Sequence, residues 1–313
     1  MSNALRESIA RQRASLITLL AEPMGRLAAR CVVAWSDRQA LNEVLSDGVT
    51  RLPHCKFLYA VGPDCIQLSD NVTQKGLITT DFGRDRSHRP YMQELPAEFA
   101  LSEAYISVRA NRPSLTAVQA VRRGDELLGY LGADFDMRDL PLTRELYEEP
   151  KQWRQVRGDP AIRGTVFLQT RVESMLDRYF DSVLAVLDEL VTEHGVFHTT
   201  IHFSSSRATI WLLDDPYRYR LLDMDALNDP DVCLAYPRRA YPDQSVIPAD
   251  RVRPILERFR QLRFSDENIY LRAGSINVFN GMVSLTFSCD GSHYLSYDEF
   301  LHTDMDFWGL GAA

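Results

Sequence analysis

The sequence predicts an α+β protein with two domains. The first, over residues 1–145, combines a long N-terminal helix with a central antiparallel sheet, and the second, over 165–313, is another α+β domain. Three observations support this prediction. Apolar residues recur at helical spacing near the N-terminus. Strand-like segments follow one another across short turns, which join antiparallel strands. The length of 313 residues exceeds that of a usual single domain.

The first predicted element is an amphipathic helix over residues 4–33. Its apolar stripe comprises Leu5, Ile9, Leu16, Leu20, Met24, Leu27 and Cys31. This stripe can lie on the sheet of its own domain, or it can pair with a second copy of the chain in a homodimer, and the pattern favours neither. Asp37 is a suitable N-cap for a second helix that extends to about residue 50.

The predicted sheet begins with a pair of strands at residues 56–61 and 66–69, separated by a Gly-Pro-Asp turn. A loop with concentrated charge follows, which contains Asp81, Arg84, Asp85, Arg86, His88 and Arg89. A charge run usually marks a solvated face. Pro90 can open a short helix after it. Three more strands are predicted at 104–110, 114–122 and 126–135.

A connector rich in charge, proline and glycine is predicted around residues 141–165. The remaining predicted elements are a helix from Thr165 to His194, strands at 196–203 and 207–213, an irregular region at 214–247, a helix from Pro248 to about Arg263, and strands at 268–279 and 282–289. The order of predicted helices and strands in the second half therefore resembles the order in the first half.

Composition excludes several classes of protein. A formal net charge of −8 gives no basic footprint for nucleic acid or an anionic membrane. The five cysteines are odd in number and form no CxxC pair, so neither a disulfide framework nor a thiolate zinc site is expected. Repeated arginines interrupt the N-terminal apolar pattern, which predicts neither signal peptide nor membrane span. We therefore expect a soluble, cytoplasmic protein without a cofactor.

Three ordered segments carry a resemblance to a known family. LYAVGPDCIQLSDN, then GRDRSHRPYM, then SEAYISVRANRPSLTAVQAVRRGDELLGYLGADFDMRDL together resemble the PDC, or Cache, class of PAS-like ligand-sensing domains over about residues 1–140. The resemblance implies a ligand pocket between the sheet and the loop that ends in Arg-Pro-Tyr. It also suggests that the second domain is PAS-like, the alternative being an unrelated α+β domain.

Four ligand-binding residues follow from the resemblance: Arg89, Tyr91, Tyr105 and Asp134. In the amino-acid-binding branch, the loop arginine meets the ligand carboxylate and the late-strand aspartate meets the ammonium. The chemistry of the residues agrees, because a guanidinium presents a planar fork to a carboxylate and a carboxylate on an apolar strand needs a cationic partner.

Two departures leave the ligand unnamed. Met92 stands where that branch has a second aromatic residue, and Arg84 stands where it has a tyrosine. An amino acid, an amine or a small carboxylate each remain open. A purely structural alternative is that Arg89 pairs with Asp134 or Asp85 and pins the loop, while Tyr105 is simply a half-buried strand residue.

The histidines of the second domain predict no metal site. His198 and His202 fall on one predicted strand, about 13 Å apart by the rise of a strand, which is too far for one metal ion. Asp214-Asp215, Asp223-Asp225 and Asp304-Asp306 lack the spaced loop of a cation site.

The sequence therefore predicts a signal-sensing or regulatory protein without catalytic activity, whose first domain binds a small polar metabolite. Its output would pass through an unnamed downstream partner or a change in a dimer. Two alternatives stay open: an enzyme with its active site in the second domain, and a scaffold with a vestigial pocket.

Overall fold

The computed structural model describes residues 1–142, 170–288 and 291–303. The chain divides into two compact units: residues 7–142, here called the N-terminal unit, and residues 1–6 with those from 143 onward, here called the C-terminal unit. The connector predicted at 141–165 lies outside the described residues except for its first two positions. The predicted domain limits stay a prediction.

Two helices precede the first sheet, α1 (Asn3–Cys31) and α2 (Arg38–Arg51). The predicted apolar stripe of α1 is buried within the single chain. A homodimer through this helix stays a prediction and would have to use another of its faces. Asp37 is the N-cap of α2, as predicted, and its Oδ1 accepts hydrogen bonds from the backbone N–H of Gln39 at 2.8 Å and of Ala40 at 3.1 Å.

The N-terminal unit contains a seven-stranded antiparallel sheet. Its strands are β1 (Cys55–Val61), β2 (Asn71–Thr73), β3 (Gly76–Ile78), β4 (Phe99–Leu101), β5 (Tyr105–Ile106), β6 (Pro113–Arg123) and β7 (Glu126–Asp136). Their spatial order is β3-β2-β1-β7-β6-β4, and β5 also pairs with β6. The predicted α+β class, with an antiparallel sheet and a long N-terminal helix, is confirmed. Because the first strand pairs with the last, residues far apart in sequence meet at the middle of the sheet.

Two strand predictions in this unit were wrong in detail. Residues 66–69 make only a short bridge to β1, because the hydroxyl of Ser69 accepts the N–H of Ala60 at 2.8 Å in place of a backbone carbonyl. The regular partner of β1 is β2. The strand predicted at 104–110 ends at Ile106, because the chain then turns with the N–H of Ser107 bonded to the carbonyl of Arg112 at 2.9 Å. The short strands β2, β3 and β4 were missed.

The described part of the C-terminal unit combines α-helices with a second antiparallel sheet. The described elements are α3 (Met175–Arg178), α4 (Phe180–Glu193), β8 (Val196–His202), β9 (Arg207–Leu212), β10 (Asp215–Leu222), α5 (Met224–Leu227), α6 (Ala249–Phe264), β11 (Leu271–Asn277), β12 (Met282–Phe287), β13 (Ser292–Ser296) and α7 (Tyr297–His302). The sheet order is β10-β9-β8-β11-β12-β13. Here the first strand pairs with the fourth, so its connectivity differs from that of the N-terminal sheet.

Two predictions for this unit need correction. Within the described residues, the helix predicted from Thr165 begins only at Met175, after a capping box between Ser174 and Asp177, and it breaks at Tyr179. The region 214–247 is not irregular throughout. It contains β10, α5 and a 3₁₀ turn at Pro230–Ala235, and a bulge between Asp215 and Tyr219 hides the alternation of β10 in the sequence.

Candidate ligand-binding site

A cavity of about 270 Å³ lies in the N-terminal unit. Its walls come from strands β1, β5 and β7, from the charged loop before Pro90, and from the turn after β5. The structure brings all four predicted residues, Arg89, Tyr91, Tyr105 and Asp134, to this one cavity. Their contact with a ligand stays a prediction.

Asp134 occupies the centre of the sheet. On β7 it lies opposite Phe57 of β1 and Thr116 of β6. Two residues earlier, Gly132 leaves room for the ring of Tyr59, because a Cβ at that glycine would lie 2.4 Å from Tyr59 Cε2. The ring therefore passes over the glycine and carries its hydroxyl to the carboxylate, with a distance of 2.9 Å from Tyr59 OH to Asp134 Oδ1.

The hydrogen bonds around Asp134 have a defined direction. Thr116 Oγ1 donates to Asp134 Oδ1 at 2.8 Å and lies 2.7 Å from Tyr105 OH. Because a threonine hydroxyl has one proton and gives it to the carboxylate, Tyr105 must donate to Thr116. Both bonds to Asp134 use Oδ1. No described residue hydrogen-bonds to Oδ2, which leaves this oxygen for a donor in the cavity.

Burial raises the pKa of the Asp134 carboxyl, against the opposing effects of the Arg86 charge, of the hydrogen bonds from Thr116 and Tyr59, and of the Arg89 charge. Asp134 keeps some exposed surface only because it forms part of the cavity wall. A carboxylate in such surroundings gains from a cationic ligand group, because the desolvated charge is poorly compensated.

Arg86 was missed by the sequence analysis as a site residue. It is only 4% exposed, and its guanidinium lies 3.7 Å from the ring centroid of Tyr59. Its nitrogens donate to Gln67 Oε1 at 2.7 Å, Asn71 Oδ1 at 3.0 Å and Tyr91 OH at 3.0 Å. These acceptors are neutral, and the positive charge of Arg86 acts on Asp134, whose pKa it lowers against the effect of burial. Nothing in the local sequence separates this arginine from its exposed neighbours.

Arg89 has different surroundings from Arg86. It is half-buried, and its backbone N–H donates to the carbonyl of Arg86 at 2.9 Å at the start of the 3₁₀ turn Pro90–Met92. Among the described residues, its guanidinium forms no hydrogen bond or ion pair with a side chain. The alternative pairing with Asp134 or Asp85 is therefore not seen there, and Asp85 instead accepts the N–H of Ser87 at 2.8 Å.

The two predicted tyrosines form part of one aromatic wall. Tyr91 is buried, and its ring centroid lies 5.6 Å from that of Tyr105. Burial raises the pKa of both hydroxyls, so both are neutral near pH 7. The site thus combines an aromatic wall with many charged and polar side chains, more than the small number usual in a small-molecule pocket.

In the described part of the C-terminal unit, several histidine and aspartate side chains make structural contacts. His194 Nδ1 lies 2.8 Å from the carbonyl of Tyr236, and the ring of His198 lies against that of Trp211. Asp214 pairs with Arg239 at 2.9 Å. Across residues 1–142, 170–288 and 291–303, no group of three His, Cys, Asp or Glu side chains is arranged to hold a metal ion. In those same ranges, no helix is long and apolar enough to cross a membrane.

No family model matches, and no curated protein matches significantly. Among solved structures, the ligand-binding domain of the Pseudomonas fluorescens chemoreceptor CtaA in complex with L-serine is similar, with 15% sequence identity and a TM-score of 0.34 over 42% of this chain and 56% of that chain. The sensory domain of the Campylobacter jejuni chemoreceptor Tlp3 with isoleucine bound has 12% identity and a TM-score of 0.36 over 44% of this chain and 58% of that chain.

An extracellular ligand binding receptor from Desulfohalobium retbaense is similar at 12% identity and a TM-score of 0.32, over 44% of this chain and 26% of that chain. The chain thus spans a little over half the length of the two chemoreceptor domains and less of this receptor. Those ligands belong to the receptors named, and membership of the PDC/Cache class stays a prediction. The kind of ligand that this cavity binds is therefore inferred from the residues that line it.

Proposed function

We propose that the N-terminal unit is a ligand-sensing domain that binds a small polar metabolite in the cavity, without a catalytic step, and that the protein acts in signal sensing or regulation. Arg89 binds an anionic group of this metabolite, and Asp134 binds a cationic group. Tyr91 and Tyr105 form the apolar wall between them.

One observation carries this proposal: Arg89 and Asp134 line one cavity, and no direct hydrogen bond or ion pair joins these two described side chains. Arg89 has no side-chain partner among the described residues, and the same holds for Asp134 Oδ2. A half-buried guanidinium and a deeply placed carboxylate are costly to leave unpaired. A ligand with both charges would satisfy both groups, whereas a simple structural role would have paired them.

Binding would signal through the loop that carries Arg86, Arg89 and Tyr91. A bound anion would hold Arg89 in one position, and this loop reaches the sheet through Arg86. The ligand can shift an equilibrium between two loop conformations only by the ratio of its affinities for them.

The test is isothermal titration of the full chain with amino acids, amines and small carboxylates. We expect Arg89→Gln to weaken binding of a carboxylate ligand by about tenfold or more, the effect of losing a charge-assisted hydrogen bond. Asp134→Asn should weaken only ligands with a cationic group. Arg123→Gln is the matched control, because Arg123 is exposed at the end of β6 and does not line the cavity.

Absence of binding by every ligand in the panel, in a folded and ligand-free sample, would contradict the proposal. Native mass spectrometry of the purified protein checks that the cavity is free before titration. A co-purifying molecule whose binding is unaffected by Arg89→Gln and Asp134→Asn would contradict the assigned residues.

A further inference from the structure

A second basic group lines the same cavity. Arg84 and Arg109 both bind Asp81, a buried carboxylate. Arg84 Nη1 donates to Asp81 Oδ1 at 3.0 Å, while Arg109 Nη2 and Asn71 Nδ2 donate to Oδ2. Two guanidinium groups therefore share one carboxylate.

Neither arginine is saturated by this arrangement. A guanidinium has five N–H donors, and within the described residues each of the two gives one of them to Asp81. Their side chains are 40% and 43% exposed, so the remaining donors are accessible from the cavity mouth. Asp81 thus holds together two guanidinium groups that line the cavity.

The charges around the cavity do not balance. Lys56 is paired with Asp139 at 2.6 Å, and Asp136 lies 3.4 Å from Arg138. When the lining residues and their ion-pair partners are taken together, six cationic side chains face four carboxylates. The excess of two positive charges arises from Arg89 and from the cluster at Asp81. A ligand with no net charge would leave this excess uncompensated.

The second basic group lies near enough to act on the same ligand. The guanidinium of Arg109 is 5.4 Å from the ring centroid of Phe57. Phe57 is directly opposite Asp134 in the pairing of β1 with β7, a separation of about 5 Å between Cβ atoms. The cavity of about 270 Å³ is compact beside the ~300–1,000 Å³ usual for small-molecule sites.

From this geometry we infer that the ligand is an acidic amino acid, with a side-chain carboxylate bound by Arg84 and Arg109. This inference rests on the proposed function, in which Arg89 binds the α-carboxylate and Asp134 the ammonium. The ligand's net negative charge then meets the positive excess of the cavity. A guanidinium pair discriminates between carboxylate and carboxamide, because the amide offers one acceptor and no charge.

Titration of the full chain with L-glutamate, L-aspartate, L-glutamine and L-asparagine tests the inference. We expect the acidic member of at least one pair to bind about tenfold or more tightly than its amide, since hydrogen bonds to a charged group are at stake. Arg109→Gln should reduce that ratio toward one while leaving the affinity for the amide within about threefold, and Arg84→Gln should act in the same direction. Arg123→Gln should leave the ratio unchanged.

The possible failures are distinguishable. Equal affinities for acid and amide, both lost in Arg89→Gln, would overturn the acidic ligand and leave the proposed function standing. Binding of succinate without any binding of the acidic amino acids would overturn the amino-acid class. Absence of binding by all of these compounds would overturn the inference and count against the proposed function as well. If Arg109→Gln fails to fold, the affinities of the unmodified protein for the acidic amino acids and their amides still test whether the ligand is acidic.

Discussion

Arg86 and Arg89 lie three positions apart in one loop but act differently in the site. Arg86 gives three hydrogen bonds to neutral side chains and lies beneath the cavity, where it fixes the loop and contributes charge. Arg89 keeps its guanidinium for the cavity. Substitution of Arg86 should therefore disturb the fold of the loop, whereas substitution of Arg89 should affect ligand binding alone.

The Asp134 carboxyl should make the ligand-free protein less stable as the pH rises. Its pKa is raised in the folded state, so the folded chain binds the proton more tightly than the unfolded chain, where the pKa is about 3.9. Stability then falls as the pH rises from about 3.9 through the raised pKa. Asp134→Asn removes this titration, and we expect its melting temperature at pH 7 to be equal to or above that of the unmodified protein.

Thermal unfolding at pH 7 and at pH 4 measures this effect. The advantage of the variant should shrink at pH 4, because this pH is close to the unfolded-state pKa of about 3.9 and the unfolded carboxyl is then about half protonated. A clear fall in the melting temperature of Asp134→Asn at pH 7, relative to the unmodified protein, would contradict the predicted effect of Asp134 on stability. The affinity for a ligand with an ammonium group should also weaken as the pH falls through the pKa of Asp134, because a neutral carboxyl cannot form the ion pair.

Tyr59→Phe removes one of the two hydrogen bonds to Asp134 Oδ1. We expect a loss of about 1–2 kcal/mol in the free energy of unfolding, because the hydroxyl is buried and loses its hydrogen bond to the carboxyl group of Asp134. Urea unfolding gives the measurement. Tyr217→Phe is the matched control, since Tyr217 is 94% exposed, and its effect should stay within about 0.5 kcal/mol. Equal effects for the two variants would refute the assigned role.

At the scale of elements, the site depends on the close approach of β1 and β7. Gly132 lies directly opposite Tyr59 in their register and leaves room for its ring. The sheet therefore needs glycine at a central strand position, where it is otherwise unfavourable.

Gly132→Ala should force the Tyr59 ring away from Asp134. The new methyl group would lie 2.4 Å from Tyr59 Cε2, and overpacking of this kind costs about 1–3 kcal/mol. Ligand affinity should fall with stability, since the Tyr59 hydroxyl orients the carboxylate. Denaturant unfolding and titration measure the two effects.

Gly25→Ala provides the comparison. Gly25 lies inside α1, and its Cβ would meet nothing closer than Gln119 Oε1 at 3.9 Å. This substitution should stabilise the protein by about 0.5–1 kcal/mol through helix propensity. If Gly132→Ala were as harmless as Gly25→Ala, the packing account of β1 and β7 would be wrong.

At the scale of the whole molecule, each unit has its own buried polar anchor. In the C-terminal unit, Arg263 of α6 forms a bidentate pair with Asp177 of α3, at 2.9 Å and 2.7 Å, and both side chains are fully buried. In the N-terminal unit, Asp70 is buried and binds Arg38 and Asn42 of α2 at 2.5 Å and 2.6 Å. The cytoplasmic location and the downstream signalling partner of the protein stay predictions.

Asp177→Ala should lower the stability of the C-terminal unit by about 3–5 kcal/mol, because it leaves the Arg263 charge buried without its partner. Hydrogen exchange should accelerate in α6 and β11, with the cavity strands β1 and β7 as internal comparison. Asp181→Ala, which removes an exposed partner of Arg260, should change stability by less than about 1 kcal/mol. Unchanged exchange in α6 would refute the anchoring role of the pair.

The sequence by itself determined the α+β class, the cap at Asp37 and the three long strands β1, β6 and β7 of the first sheet, because these follow from local periodicity, side-chain capping and turn chemistry. Through the family resemblance, it also singled out Arg89, Tyr91, Tyr105 and Asp134, which line one cavity. It failed where a polar side chain replaced a ladder hydrogen bond, as at Ser69, or where a bulge masked a strand, as in β10.

Only the tertiary structure decided which charges of the loop belong to the site. Arg84, Arg86 and Arg89 are alike in sequence. The pairing of β1 with β7 brings Tyr59 to Asp134 across 75 positions, and the ring of Tyr59 then provides the surface on which Arg86 is buried. The turn after β5 places Arg109 beside Arg84 on Asp81, 28 positions from Arg109 in the chain. Such long-range contacts determine which arginines are buried and how the charges of the cavity balance. Local sequence patterns do not predict these contacts.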